Sequence, residues 1–164
     1  MKLIFLDIDG VLDVFSSKMY LQTLLPGAVE RLHRIVECTA AKIVVISTWR
    51  FGSEAYRKIC EEQKSHQQEC DNWPQLVYVL ESNGMEIFDV TPWKEDLPNR
   101  TAEVLCFLKE HPETEGYVIL DDCYGDDYSG SPELRKHLVF VDALKGLQDS
   151  DVEKAVEILN EKIL

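Results

Sequence analysis

Cysteine is sparse and poorly spaced for structural chemistry. The 164 residues hold five, Cys38, Cys60, Cys70, Cys106 and Cys123, an odd number with no C-x-x-C pair. That argues against a disulfide framework or a zinc site and fits a reducing cytoplasm. Long hydrophobic runs are missing as well. The first apolar run, Leu3 to Leu6, is too short for the core of a signal peptide and runs straight into acid, and nothing approaches membrane-spanning length. Basic residues are outnumbered: 17 Lys and Arg stand against 30 Asp and Glu, a net charge of −13. With no run of membrane-spanning length, no membrane partner is expected. A field of this sign repels phosphate backbones, so no broad nucleic-acid-binding surface is expected either, although a local basic site is compatible with it. There is no internal repeat and no low-complexity tract.

What remains is the profile of an ordinary globular domain, 45% hydrophobic and 29% charged. The length predicts a single domain over 1–164, enough to bury roughly 70% of the unfolded surface. Four apolar runs read as buried strands: Leu3–Leu6, Ile43–Ile46, Tyr117–Leu120 and Leu138–Val141. They lack strict alternation, as strands covered on both faces do. Helical stripes lie between them. Val29, Leu32, Ile35 and Val36 follow Pro26; Val152, Ala155, Val156, Leu159 and Ile163 follow a Ser150–Glu153 capping box; Thr101 is placed to cap a helix carrying Val104, Leu105 and Leu108. Pro74 and Asn83-Gly84 punctuate a short helix after Trp73, with a fifth strand at Glu86–Val90. This alternation predicts an α/β fold: a Rossmann-like parallel sheet of about five strands with helices on both faces. Ligands then bind beyond the carboxyl ends of the strands, so the residues directly after each strand deserve the closest reading.

Those residues are acidic or hydroxylated. Asp7-Ile8-Asp9-Gly10-Val11 follows the first strand. Asp-Gly is also a plain turn signal. A calcium loop fails on spacing, because Gly10 is fourth and Lys18 twelfth from Asp7. Ser47-Thr48-Trp49-Arg50 follows the second strand, and a hydroxyl there could hold a phosphate oxygen. Asp121-Asp122 follows the fourth, with Asp126 and Asp127 soon after. Adjacent acids at a strand end are costly unless a cation neutralises them, and Mg²⁺ favours such hard oxygen ligands. Arg100 opens a predicted helix, with Lys94 six residues earlier. Either could offset a phosphate dianion.

In this order the residues resemble the four motifs of the haloacid dehalogenase (HAD) superfamily of phosphohydrolases. Asp7-Ile8-Asp9-Gly10-Val11 is similar to the first motif, Ser47 to the second, Arg100 or Lys94 to the third and Asp121-Asp122 to the fourth. A closer likeness is to small HAD domains associated with RNA repair proteins, carried by Ser47-Thr48-Trp49-Arg50 and by Thr91-Pro92 before the Arg100 helix. The chain departs from that pattern at Ile46, where another Ser is expected, and by lacking Gly after Arg100; Ser47 and Thr48 both stay open as the phosphate-binding hydroxyl. The resemblance implies a phosphomonoesterase in which Asp7 attacks phosphorus and Asp9 serves as acid and then base. It implies Mg²⁺ on the Asp7 carboxylate, the Asp9 carbonyl and Asp121 or Asp122, and phosphate oxygens held by Ser47 and Arg100. The short intervals between motifs imply a nearly capless protein with an open site. Such a site suits a phosphorylated small molecule or a nucleic-acid end, with Trp49, Arg50, Trp93 and Lys94 as the substrate rim. Two rival readings accompany it: a non-catalytic HAD-like phosphate- or partner-binding domain, and a phospho-acceptor signalling domain. The early position of Asp9-Gly10 and the late position of Asp121-Asp122 favour the hydrolase.

Overall fold

A computed structural model of the chain describes residues 1–16, 23–63, 70–93, 97–123 and 128–161. Its strands are β1 (Lys2–Leu6), β2 (Lys42–Val45), β3 (Ile87–Val90), β4 (Gly116–Asp121) and β5 (Leu138–Phe140). They form one sheet in the order β3-β2-β1-β4-β5, and every pairing is parallel. The chain builds outward from β1 through β2 to β3, then returns across the sheet to place β4 on the other side of β1. That reversal makes the β1–β4 boundary the topological switch point.

The reversal also explains why helices cover both faces. A parallel crossover is right-handed, so a change of direction moves the connecting helix to the opposite face. On one face α1 (Pro26–Thr39), α3 (Trp73–Ser82) and α6 (Asp149–Asn160) pack Leu32, Ile35, Leu76, Leu80, Ala155 and Leu159 onto Ile4, Leu6, Ile43, Val45, Val118 and Leu120. On the other, α4 (Arg100–Glu110) and α5 (Pro132–Lys136) pack Val104, Phe107 and Leu134 onto Leu3, Phe5, Val44, Ile46 and Ile119. Successive strand residues therefore enter opposite cores, which is why the strands read as unbroken apolar runs. A third cluster joins Phe51 and Tyr56 to Cys60 of α2 (Glu54–Gln63), with Trp93 packed against it.

Two helix caps differ from expectation. The capping box of α6 is formed by Gln148 and Asp151, and Ser150 lies inside the helix. Asn99, whose side chain accepts from the Ala102 backbone N–H at 3.0 Å, caps α4 in place of Thr101. In both cases the helix starts earlier than its apolar stripe, because the first turn is held by side chains rather than by core contact. Ile163, Asp126 and Asp127 lie outside the described residues. Among the described residues, the β1–β2 interval adds only α1, and the β2–β3 interval a short 3₁₀ turn (Thr48–Gly52), α2 and α3; neither contains a sheet of its own. No helix there is long and apolar enough to cross a membrane.

Candidate active site

The carboxyl ends of the three central strands meet at one edge. Asp7 follows β1 and is tied to β4 by its backbone N–H, which donates to Leu120 O at 2.9 Å. Asp121 ends β4 on one side of it, and Ser47 lies just past β2 on the other. Burial of the strand ends carries these polar groups inward: Asp7 is 3% exposed, Ser47 1% and Asp121 0%.

Arg100, the first residue of α4, closes the gap between the two buried acids. Its Nη1 lies 3.1 Å from Asp7 Oδ2 and 2.8 Å from Asp121 Oδ2. Asp121 is further held by the Tyr128 hydroxyl, which donates to Oδ2 at 2.8 Å, and by the Cys123 N–H, which donates to Oδ1 at 2.8 Å. Asp7 is less satisfied. Its Oδ1 is buried and has no hydrogen-bond partner among the described residues. Burial pushes the Asp7 pKa up to about 7; Arg100 opposes the rise and Asp121 and Asp122 reinforce it. Desolvation works against the Arg100 charge, yet Asp7 and Asp121 more than offset it and raise its pKa.

Gly10 brings the first loop against the last acid pair. Its φ of 80° favours glycine, and a Cβ there would collide with the Asp122 carboxylate. Asp7, Asp121 and Asp122 thus lie close together, and the Arg100 guanidinium pairs with the first two. Asp121, Asp122 and Cys123 place one potential ligand atom each within 4.8 Å of one another. The orphaned Asp7 oxygen, the shortage of positive charge and the hard oxygen donors all fit a divalent cation held by Asp7, Asp121 and Asp122.

Asp9 is half-buried, two residues past Asp7. Trp49 Nε1 donates to both of its oxygens, at 3.2 Å to Oδ1 and 3.1 Å to Oδ2. Burial, then the neighbouring Asp13, push the Asp9 pKa up to about 6, while the Trp49 hydrogen bond pulls it down. Asp13 is fully buried and its Oδ1 accepts from the Gly10 N–H at 2.6 Å.

Two of the four expected rim residues, Trp49 and Arg50, are buried. Trp49 and Arg50 are 2% and 3% exposed. Arg50 Nη1 donates to Ile46 O at 2.6 Å and Ser47 O at 2.9 Å, and Nη2 pairs with Glu103 Oε1 at 2.8 Å. The tight 3₁₀ turn after β2 folds both side chains back under the strand ends. Trp93 is half-buried, edge-on to Phe51 and Tyr56. Lys94 lies outside the described residues. Of the two hydroxyl candidates, Thr48 is exposed and Ser47 is buried, its Oγ accepting from the Trp49 N–H at 3.4 Å. Asp13, Glu103 and Tyr128 escaped the sequence reading. Glu103 was the most accessible of these, as an acid on the apolar side of a helix; Asp13 and Tyr128 sit in loops whose course the sequence does not reveal. A groove of about 390 Å³ along β3, floored by Trp73, Leu80 and Met85, shares no residue with this cluster.

A family model described as the HAD domain in Swiss Army Knife RNA repair proteins matches residues 3–152. The chain belongs to this family. Membership of the HAD family makes it a HAD-type phosphoesterase domain at the family level, and the switch-point cluster of Asp7, Asp121 and Arg100 lies within the matched span. No curated protein and no solved structure matches the chain.

Proposed function

We propose that this HAD domain is a Mg²⁺-dependent phosphomonoesterase that works through a phospho-aspartate on Asp7, with phosphorylated RNA ends and nucleotides as its substrate class. The observation that carries this reading is the convergence of Asp7 and Asp121 on Arg100 Nη1 at the β1–β4 switch point.

Asp7 supplies the nucleophilic oxygen. Its carboxyl must be ionised to attack, and Arg100 favours that form. As the new Asp7 O–P bond forms, the bond from phosphorus to the ester oxygen breaks, and Asp9 gives its proton to the departing oxygen. Asp9, now a carboxylate, takes a proton from water; the water oxygen attacks phosphorus, releasing phosphate and restoring Asp7. A carboxyl with a pKa near 6 can hold and release that proton around neutrality, which a free aspartate at about 3.9 does poorly. Ser47 and Arg100 hold the non-bridging oxygens. HAD domains generally use Mg²⁺; held by Asp7, Asp121, Asp122 and the Asp9 carbonyl, the ion would supply charge neutralisation between nucleophile and phosphate. The RNA-end preference rests on the family description.

The test is a release assay for inorganic phosphate from 5′- and 3′-phosphorylated oligoribonucleotides, nucleotides, sugar phosphates and phosphopeptides. The wild type should release phosphate only with Mg²⁺, fastest from oligoribonucleotide ends, and Asp7→Asn should release none. Absence of wild-type turnover on every substrate would overturn the reading.

A further inference from the structure

Among the described rim candidates, Trp49 reaches the proposed chemistry, through a hydrogen bond to Asp9. Its ring is 2% exposed and packed in the larger core cluster. The turn that carries it is pinned on both sides. Ser47 Oγ accepts from the Trp49 backbone N–H, and the Arg50 guanidinium donates to the carbonyls of Ile46 and Ser47. From this rigid seat the indole aims its single N–H between the two oxygens of Asp9. A buried indole N–H needs an acceptor, but a backbone carbonyl would serve for packing. Here the acceptor is the side chain assigned the proton transfers, on a loop where Asp13 presses a like charge against it.

We propose that Trp49 is a positioning residue for Asp9, fixing the orientation of its carboxylate through the shared indole hydrogen bond. The inference rests on the phosphatase reading above. One N–H divided between two oxygens leaves lone pairs on both, so the contact orients the group without blocking its protonation. Its worth comes from geometry: an acid held by a packed ring keeps its proton aimed at one place, whereas a free side chain samples several.

The experiment separates orientation from packing by varying the leaving group. Trp49 is replaced by Phe and, by site-specific incorporation, with 3-benzothienylalanine, which keeps the ring size and exchanges the N–H for sulfur. Thermal melts confirm that each variant is folded. The kcat/KM of each covers the steps through departure of the leaving group. An alkyl phosphate leaves as a strong base and needs the proton, so its kcat/KM should fall about 10- to 100-fold, part of the 10²–10⁴-fold that general acid–base catalysis supplies. Dinitrophenyl phosphate leaves as a weak base, and its kcat/KM should change by less than about threefold. In an Asp9→Asn background the Trp49 replacements should cost nothing more on the alkyl substrate. Equal losses on both substrates, or no loss in the benzothienyl variant, would overturn the role of Trp49. Failure of the wild type on both substrates would instead count against the phosphatase reading.

Discussion

Arg50 and Glu103 form a buried ion pair between the turn after β2 and the first turns of α4, with Nη2 and Oε1 2.8 Å apart and side-chain exposures of 3% and 8%. Arg50 also donates to the carbonyls of Ile46 and Ser47, and Glu103 lies one helical turn beyond Arg100. The pair therefore ties the Ser47 loop to the helix that delivers Arg100. Burial lowers the Arg50 pKa, and Glu103 works against that fall. Removing one partner strands the other charge in the interior, at a cost of about 3–5 kcal/mol. Arg50→Met and Glu103→Leu should each destabilise strongly in urea unfolding, and the double variant should be less destabilised than the sum of the two.

The same elements predict a chemical trap for Asp7. Rapid acid quench during turnover of a ³²P-labelled substrate should leave label on the wild-type protein, sensitive to hydroxylamine as an acyl phosphate is. Asp7→Asn should carry none, with turnover reduced on the order of 10³-fold or more. Its fold should survive, because Asn keeps the shape of the side chain and relieves a buried carboxylate crowded by Asp121 and Asp122.

Stability should depend on pH with an unusual sign. The Asp7 and Asp9 pKa values are raised from 3.8 to about 7 and about 6. Between the free and folded values the native state holds protons that the unfolded chain releases. The resulting stabilisation is complete below about pH 4 and is lost as pH rises towards 7. Without divalent cations, Tm should fall across this window. Millimolar Mg²⁺ should raise Tm more at pH 7.5 than at pH 5, because it needs the carboxylates ionised. A Tm that rises steadily from pH 4 to 7 in EDTA would contradict this account.

Tyr128 gives a prediction about what holds the acid cluster in place. Its hydroxyl is fully buried against Asp121 Oδ2, and burial together with Asp121 drives its pKa upward, so it stays a neutral donor. Tyr128→Phe keeps the ring and withdraws the donor, costing about 1–3 kcal/mol in chemical denaturation. Mg²⁺-induced stabilisation should weaken in the same variant, since Asp121 loses a group that orients it.

Much was legible from the chain alone. Leu3–Leu6 and Tyr117–Leu120 are apolar runs ending in acids, and that pattern follows from strands buried on both faces whose ends open onto a ligand edge. The helix over Trp73–Ser82 and the strand at Ile87–Val90 were marked by Pro74 and by Asn83-Gly84. Local chemistry decides such features: a proline lacks an N–H, and Gly84, at a φ of 73°, tolerates the left-handed turn that ends the helix. Spacing also brought Asp7, Asp9, Asp121 and Arg100 to notice, because each lies at or just past a strand end or opens a helix.

Tertiary structure decided what those side chains touch. Trp49 and Arg50 look in sequence like an aromatic–basic rim, but a single 3₁₀ turn after β2 points both inward, one to Asp9 and the other to Glu103. Whether a polar side chain faces solvent or a buried partner depends on the direction of the backbone at that residue and on what other elements place opposite it. Glu103 is 53 residues from Arg50, and Arg100 is 93 from Asp7. No local pattern specifies such pairs. They exist because the sheet reverses its direction of growth at β1, which sends α4 across the strand ends and sets its first turns against the acids and the β2 turn.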